Sequence, residues 1–458
     1  MTVVHHLEMA YPNGAIRISR TKGRQETKNC ISLPDILQKE HLKAACICST
    51  LVAEDKLYKH LPLKNFPIYI VRDMELDSEI DTARRKAKIA PDKSLTPELR
   101  KVLIPILQRL HEKKHGKNPI ICYTLSASQN SNILLLKYTY FLRIVITSCM
   151  NVDTEEGDNH WYIHDLPNRW FGDLRYEEVF ERQFFRHIAE IVPQVFMSMT
   201  EDSYDFSAVK VRLVTAVCGS PTLQSDYGLL YLRKYIEYMD LGLPKLDKSS
   251  KLRLEVCTAR VGDMRLNMPL KWLNCFYDCA LGKATFEVEN LNTTLPRITL
   301  YYPTKEYVLE SPQRESAVAE NLACHAPPQI WSLFNHYKSK DPGELSNQNM
   351  ILAYNPLDTT LPPYYVYFGS ADLSIPSWGI PTPGCENIFA VNQTTCGVLI
   401  PGDLIEDLLE PGTKSWQEGI VTYVQTAHPY NFSTDSPWIK DNVPLSKQHF
   451  DERPRRKR

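Results

Sequence analysis

The sequence lacks the features that would direct it to a membrane or to the secretory route. No segment of the 458 residues comes near the ~18 consecutive apolar residues that a membrane-spanning helix needs. Residues 1–8 contain neither the basic nor the apolar region of a signal peptide. The twelve cysteines include no C-x-x-C pair, which favours free thiols in a reducing compartment over a disulfide or zinc framework. We therefore expect a protein of the nucleus or cytoplasm that is not secreted, has no membrane partner and binds no metal.

A strong net charge is also missing. The 53 Lys and Arg residues nearly balance the 54 Asp and Glu residues, for a formal net charge of -1. A basic coat over the whole surface is excluded, so any nucleic-acid site must be local. The candidate is the basic segment 83–116, with a predicted exposed helix over 97–113. Residues 453–458 form a basic tail that is either a nuclear localisation signal or a solvated terminus.

One pattern occurs twice in the chain. Each copy consists of an N-x-N triplet, an apolar strand, a turn and a second strand that ends in small residues. The copies comprise residues 130–150 and 347–372, and their triplets start 347 − 130 = 217 residues apart. This spacing is close to half the chain and predicts a duplicated unit of domain size. Apolar runs of this kind suit strands that are covered on both faces, as in an α/β fold.

The break between the two units is predicted at 241–255, where Gly, Pro and Ser cluster with charged residues. This gives an N-terminal lobe of residues 1–245 and a C-terminal lobe of residues 246–458. Among the other elements, residues 34–54 are predicted to be helical, with Pro34 and Asp35 at the start.

The two copies resemble the paired H-x-K…N motifs of the tyrosyl-DNA phosphodiesterases, a branch of the phospholipase D superfamily. Leu142-Arg143-Ile144-Val145-Ile146 is similar to the family's L-R-V-V-I strand and lies at the matching distance from the first triplet. Further similar segments follow in the family's order, at residues 160–167, 204–207, 301–304, 369–379 and 437–444. The resemblance covers about residues 11 to 444. It implies an α/β fold of two similar phospholipase D-like lobes, each a mixed β-sheet flanked by helices, related by a pseudo-twofold axis.

The catalytic side chains of the family are not present at the matching positions. Asn130 falls where the family has its nucleophilic histidine, and Asn347 where it has its general-acid histidine. Asn132 and Asn349 fall at the two lysines that neutralise the phosphate. Asparagine has no titratable proton near neutral pH and cannot attack phosphorus, whereas imidazole has a pKa of about 6.5. Each lost role is typically worth ~10²–10⁴ in rate.

The family's two asparagines are also replaced. Met150 falls at the first position and Asp372 at the second. A carboxylate at this place would repel a phosphodiester. The resemblance therefore implies no metal and no cofactor, and predicts a catalytically inactive relative linked to DNA repair that still binds DNA ends or phosphate. The residues that would contact single-stranded DNA or a DNA 3′ end are Ser220, Gln224, Ser225, Ser370 and Ser374.

Two alternatives stay open at this point. The first is an active 3′-tyrosyl-DNA phosphodiesterase that hydrolyses 3′-phosphodiester adducts, with His336-Tyr337-Lys338 or His160 as replacements for the missing groups. The second is a protein-interaction scaffold without DNA binding, whose aromatic segment 364–368 forms a contact surface. The residues alone favour a structural place for these histidines and a place in the core for the aromatic segment.

Overall fold

The computed structural model describes the greater part of the chain, and every structural statement below concerns this part. The described residues are 8–21, 29–49, 54–61, 66–124, 129–150, 157–169, 178–191, 195, 199, 203–218, 227–239, 252–262, 269–282, 295–382, 387–425, 428–431 and 433–439.

Strands and short helices alternate along the described residues. The strands are β1 Ala15–Ser19, β2 Cys30–Ile31, β3 Ala44–Cys48, β4 Ile68–Arg72, β5 Pro119–Tyr123, β6 Ile133–Lys137, β7 Phe141–Thr147, β8 His160–Pro167, β9 Arg212–Ala216, β10 Arg253–Thr258, β11 Arg260–Val261, β12 Ile298–Tyr302, β13 Ala323–Cys324, β14 Phe334–His336, β15 Asn349–Tyr354, β16 Tyr365–Gly369, β17 Ile380–Pro381, β18 Ile388–Phe389 and β19 Thr395–Pro401. The α-helices are α1 Leu33–Leu37, α2 Glu54–His60, α3 Ile80–Lys86, α4 Pro97–His115, α5 Val179–Ile191, α6 Gly228–Tyr238, α7 Pro269–Ala280, α8 Lys305–Glu310, α9 Ala317–Asn321, α10 Ile375–Trp378, α11 Ile405–Leu408 and α12 Trp416–Ile420.

Two large mixed sheets organise these elements. The first has the spatial order β2-β1-β8-β7-β6-β3-β4-β5, and the second has the order β14-β12-β10-β15-β16-β19-β9. In the first, β3, β4 and β5 are parallel to one another, and β6, β7, β8 and β1 continue with antiparallel pairings. In the second, β10, β12 and β14 are parallel, and β15, β16, β19 and β9 continue antiparallel.

The two sheets therefore repeat one topology. Reading from the parallel edge, β5-β4-β3-β6-β7-β8-β1 corresponds strand for strand to β14-β12-β10-β15-β16-β19-β9. The duplication predicted from the repeated N-x-N pattern is visible as this shared order and direction of strands. The two triplets occupy equivalent places, immediately before β6 and at the start of β15.

A core shared by the two sheets joins them. Along β6, Ile133 and Leu135 belong to this shared core, whereas Leu134 and Leu136 pack on the other face, against α1, α3 and α4. The second sheet alternates in the same way, because successive strand residues point to opposite faces. Its outer face packs against α6 and α7. The strands are thus buried on both faces, as the apolar runs predicted, and the mixed α/β fold is confirmed.

Several element predictions can be compared with the structure. The predicted strands of both repeats are confirmed as β6, β7, β15 and β16, and the predicted helix over 97–113 is confirmed as α4. The helix predicted over 34–54 is wrong: after α1 and a 3-10 turn at Lys39–His41, the chain forms β3. This strand is central in the first sheet, so pairing on both sides outweighs the weak strand preference of its Ala-Ala-Cys sequence.

The boundary predicted at 245/246 stays a prediction, because residues 240–251 lie outside the described part of the chain. Strand β9, at Arg212–Ala216, precedes that boundary but pairs with β19 in the second sheet. Among the described helices, none combines the length and apolar character of a membrane span.

A buried ion pair fixes the centre of the first sheet. Arg143 on β7 and Asp165 on β8 are register partners, both with fully buried side chains. Arg143 Nε lies 2.6 Å from Asp165 Oδ1, and Nη2 lies 2.9 Å from Oδ2. Asp165 also accepts the backbone N–H groups of Ala10 and Tyr11 at 2.9 and 3.0 Å, so this pair orders the segment before β1 as well.

A second buried charged cluster lies beside the carboxyl end of β4. Asp77 accepts from Arg72 Nη2 at 2.9 Å and from the Tyr123 hydroxyl at 2.5 Å, and His111 Nε2 lies 3.1 Å from the same carboxylate. Burial alone would raise the pKa of Asp77, but His111, Arg72 and Tyr123 together lower it to about 2.

Replacing Arg143 by alanine is expected to lower the free energy of unfolding by ~3–5 kcal/mol, because Asp165 would remain buried without its cation. Urea denaturation measures the change. The matched control is Arg314→Ala, whose ion pair with Glu315 at 4.0 Å is solvent-exposed and should contribute ~0–1 kcal/mol. Equal, small losses in the two variants would contradict the importance of the buried pair.

The Asp77 carboxylate should make stability depend on pH in acid. Its pKa is 3.8 in the reference state and about 2 in the folded state, so its ionisation stabilises the fold by about 2 kcal/mol above pH 4. This contribution is lost as the pH falls from about 4 to about 2. The gap in unfolding free energy between wild type and Asp77→Asn should narrow over this window; parallel pH curves for the two proteins would refute the assignment.

Candidate functional site

The two N-x-N triplets lie at the ends of interior strands, beside the core that the two sheets share, and each contacts the opposite sheet. The Asn130 backbone N–H donates to the Thr394 carbonyl at 2.8 Å, directly before β19. In the twofold-related place, the Asn347 N–H donates to the Asp158 carbonyl at 2.9 Å, directly before β8. The residues one step earlier form matching parallel bridges, Gln129 with Thr394 and Ser346 with Asp158. The triplets are therefore the points at which each half of the chain is joined to the other.

The second asparagine of each triplet makes the same contact in its own sheet. The Asn132 side-chain oxygen accepts the hydroxyl of Ser49 at 2.9 Å, just past the end of β3. The Asn349 side-chain oxygen accepts the hydroxyl of Thr258 at 2.8 Å, at the end of β10. Because β3 corresponds to β10 in the repeated topology, these two contacts are equivalent. In both, a neutral amide links two neighbouring interior strands at the end of the sheet.

Ser148, directly after β7, connects the two asparagines. Asn132 Nδ2 donates to the Ser148 carbonyl at 2.8 Å, and the Ser148 hydroxyl donates to the Asn349 carbonyl at 3.5 Å. Asn132 is 4% exposed and Asn349 is 8% exposed. The structure thus brings these two predicted residues together, but as internally bonded side chains.

The first asparagine of each triplet is also engaged by the protein. The Asn130 side chain donates to the Ser370 carbonyl at 2.9 Å across the two sheets. The Asn347 side-chain oxygen accepts from Asn321 Nδ2 at 3.1 Å, and Asn347 is only 2% exposed. Asn130, half-buried, is therefore the most accessible of the four triplet asparagines.

The two remaining predicted positions differ in character. Met150 is buried and packs in the core on the outer face of the first sheet, the face that α1, α3 and α4 cover. Asp372 is 5% exposed, and its Oδ1 accepts the hydroxyls of Ser374 and Ser377, the latter at 2.5 Å. Burial raises the pKa of Asp372, although both hydroxyls and the nearby Arg260 favour the ionised form.

The structure also locates the predicted DNA-contacting residues that it describes. Ser370 and Ser374 are buried, and the Ser370 hydroxyl donates to the Cys396 carbonyl at 3.2 Å. Contact between either hydroxyl and DNA would require these internal bonds to break. Ser220, Gln224 and Ser225 lie outside the described residues. All five remain predictions.

The histidines considered as substitutes lie away from the triplets. His336 is on the edge strand β14, and its Nε2 lies 2.8 Å from Asp435 Oδ2. His160 is buried on β8 and its Nε2 lies 2.7 Å from the Ile420 carbonyl. Both histidines occupy structural positions in the described part of the chain.

Sequence reasoning missed one histidine beside the first triplet. The Nε2 atom of His187, on α5, lies within hydrogen-bond distance of the Ser131 hydroxyl, at 3.0 Å. Ser131 lies between Asn130 and Asn132 in the sequence, so its side chain points to the face of the extended chain opposite the one that the two asparagines share. His187 is buried, and burial lowers its pKa to about 3. The imidazole is therefore neutral at physiological pH, and no sequence motif marks it, since it lies 56 residues from its partner.

The arrangement determines what chemistry the site can perform. The triplet side chains are neutral amides, Asp372 is the acidic group beside them, and none of the four asparagines can exchange a proton near neutral pH. Arg260 is the cation of this neighbourhood; its Nε donates to the Asn321 carbonyl at 2.8 Å. The four asparagines themselves thus provide no nucleophile, no general acid and no pair of cations for phosphate oxygens.

Comparison with known proteins agrees with the fold and the repeat. The sequence profile of the family "Tyrosyl-DNA phosphodiesterase" matches residues 15–454. The solved structure of yeast tyrosyl-DNA phosphodiesterase superimposes with a TM-score of 0.60 at 13% identity, over 93% of this chain and 100% of that chain. A yeast variant with one histidine replaced by asparagine gives a TM-score of 0.62 at 14% identity, over 93% and 100% of the two chains. No curated protein sequence matches the chain.

The structural likeness defines the class first: a two-lobed mixed α/β protein with the fold of the yeast enzyme. The profile match spans nearly the whole chain, so the protein belongs to the tyrosyl-DNA phosphodiesterase family. The resemblance predicted from the two repeated motifs is confirmed at this level.

Replacing Asn132 by leucine should lower the free energy of unfolding by ~1–3 kcal/mol, because the buried Ser49 hydroxyl and Ser148 carbonyl would lose their partner. Urea denaturation of the full chain measures this. The control is Asn392→Leu, at an exposed asparagine, with an expected change within about 0.5 kcal/mol. If the two substitutions cost the same, Asn132 does not bond these groups in solution.

Proposed function

We propose that the protein is a non-catalytic member of its family that binds DNA ends or single-stranded DNA, and so acts in DNA repair without cleaving the phosphodiester bond. The observation that carries the proposal is the state of the two triplets: asparagines replace imidazole and ammonium groups, and all four amides bond within the protein. Amide side chains at these four positions neither attack phosphorus nor protonate a leaving tyrosyl oxygen.

The absence of these groups separates binding from catalysis. The yeast relative is, by its name, an enzyme that acts on tyrosyl-DNA. For this chain, the family fold supports recognition of a similar ligand, while the four triplet asparagines supply no proton transfer. A nuclear or cytoplasmic location is proposed on the same grounds as before, and the role of the basic tail at 453–458 remains a prediction.

A basic surface beside the site supports the DNA part of the proposal. Between residues 81 and 117, nine Lys and Arg side chains are exposed against three exposed carboxylates. The nine are Arg85, Lys86, Lys88, Lys93, Lys101, Arg109, Lys113, Lys114 and Lys117. Phosphate contacts from such side chains give affinity that is independent of sequence and sensitive to salt.

The direction of α4 brings part of this surface toward the end of the first sheet at which the first triplet lies. Arg100, near the start of α4, donates to the Thr124 carbonyl at 3.3 Å, just past the end of β5. Gln108, two turns later, donates to the Pro119 carbonyl at 3.3 Å, at the start of β5. The helix therefore runs antiparallel to β5. The carboxyl ends of β3, β4 and β5 lie at the same end of the sheet as the start of β6. Lys93 and Lys101, which precede and begin α4, therefore lie toward this end of the sheet.

The test uses a labelled single-stranded oligonucleotide with a 3′-phosphotyrosyl group and the full chain. We expect no release of tyrosine above the buffer rate, together with binding that weakens steeply between 50 and 200 mM salt. Fluorescence anisotropy measures the binding. Lys93→Glu with Lys101→Glu should weaken it at least tenfold and reduce the slope of log affinity against log salt by ~1.4, about 0.7 for each lost single-strand phosphate contact.

The matched control is Lys338→Glu, an exposed lysine on the far edge of the second sheet, which should bind as wild type does. Absence of binding at 50 mM salt would remove the DNA proposal. Turnover that disappears in His336→Ala or His160→Ala would instead make the protein an active phosphodiesterase with a rearranged site.

A further inference from the structure

The three most exposed large apolar side chains of the described residues belong to two segments that border one pocket. Tyr238 is 76% exposed, Leu357 is 69% exposed and Leu361 is 55% exposed. They belong to the end of α6 and to the loop between β15 and β16. These two segments border a pocket of about 310 Å³ lined by Met239, Pro363, Tyr364, Pro401, Gly402, Asp403 and Leu404.

This pocket and the triplets lie at opposite ends of the same strand. Tyr364 directly precedes β16, whereas Ser370, which contacts Asn130, directly follows it. Six residues of extended chain separate them by about 20 Å. The surface is therefore distinct from the site at which the two sheets meet.

The loop that presents the leucines is held in a fixed conformation. Trp416 Nε1 donates to the Leu361 carbonyl at 2.9 Å, and the Gln417 side chain donates to the Thr359 carbonyl at 2.5 Å. Within the loop, Asp358 Oδ1 accepts the Thr360 backbone N–H at 3.2 Å and its hydroxyl at 2.5 Å. These hydrogen bonds to backbone groups of residues 359–361 hold the loop in the conformation in which Leu357 and Leu361 are exposed. A preformed surface loses less entropy when it binds.

The wall of the pocket depends on one close backbone approach. The Gly402 N–H donates to the Tyr364 carbonyl at 3.0 Å. A Cβ atom at position 402 would lie 1.6 Å from the Pro363 carbonyl oxygen, so only glycine fits. Pro363, Tyr364 and Pro401 form a rigid apolar wall, and Met239 adds an adaptable side chain.

Asp403 lines the pocket, and the chain segments that contain or adjoin its lining residues carry further carboxylates. The segments 237–239, 357–364 and 401–407 contain five acidic residues and no Lys, Arg or His; the five are Glu237, Asp358, Asp403, Glu406 and Asp407. All five are exposed. This charge repels nucleic acid and attracts cations. Apolar surface with aromatic, proline and methionine side chains inside a polar rim is typical of protein interfaces.

We propose that this surface binds a partner protein through a segment that places one large apolar side chain in the pocket and Lys or Arg side chains against the acidic rim. The pocket volume is at the lower end of the ~300–1,000 Å³ range of ligand sites, which suits a single anchoring side chain. The proposal goes beyond DNA binding and does not depend on it, since it concerns the other end of the second sheet.

The test measures binding of three fluorescent twelve-residue peptides to the full chain by anisotropy. The first alternates Lys and Arg with Leu around a central Trp, the second has Gln at every basic position, and the third has Glu there. We expect saturable binding of the basic peptide only, at least tenfold weaker at 0.5 M salt. Tyr238→Ser with Leu361→Ser should weaken it at least tenfold.

Tyr140→Ser is the matched control, since Tyr140 is a similarly exposed aromatic side chain in the hairpin between β6 and β7; it should leave peptide binding unchanged. The labelled oligonucleotide is titrated in parallel, and its affinity should be the same for wild type and the double variant. The proposal would be overturned if the basic peptide showed no saturable binding, or if the Gln and Glu peptides bound as tightly as the basic peptide. Undiminished binding of the basic peptide by the double variant would also overturn it. Loss of oligonucleotide affinity in the double variant would reassign the surface to nucleic acid.

Discussion

In each sheet, one buried amide side chain links the end of a parallel strand to the start of its antiparallel neighbour. Asn132 makes this contact with Ser49, and Asn349 makes it with Thr258. The same segments also join the two sheets through Thr394 and Asp158. An amide suits this place because it donates and accepts at once and carries no charge, so it can be buried without the cost of desolvating an ion. A lysine at position 132 or 349 would need an anion or solvent beside its ammonium group. The groups that bond these asparagines are hydroxyls and a backbone carbonyl, which provide neither.

This constraint gives the triplet asparagines a structural role in the family fold. The buried triplet amides link neighbouring strands within each sheet, and the triplet backbones link the two sheets. Both are structural roles. Asp372 sits among hydroxyls that satisfy its carboxylate, and His187 is neutral and buried behind Ser131. The polar groups at the junction are therefore occupied with one another. Ligand recognition, as we propose it, depends instead on exposed surfaces around the junction.

The sequence allowed the repeat, the family and the four central strands to be predicted, because long apolar runs after each triplet carry strong local signals. It did not allow β3 to be predicted, since Ala44–Cys48 becomes a strand only through pairing with β4 and β6. The partners of the asparagines were also hidden. Ser49 and Thr258 are 258 − 49 = 209 residues apart, whereas the triplets are 217 apart, so unequal insertions between the strands conceal the equivalence. His187 contacts the first triplet only through tertiary packing.

The near-zero net charge of the chain conceals two surfaces of opposite sign. The exposed face of α3 and α4 in the first half is basic, and the rim around Tyr364 and Asp403 in the second half is acidic and apolar. A single anionic ligand cannot bind both, because the acidic rim would repel it. If both surfaces bind, they must therefore bind partners of opposite charge. The two surfaces that we propose as binding sites therefore call for two ligands of opposite charge, a polyanion at the basic face of α3 and α4 and a basic protein segment at the acidic rim.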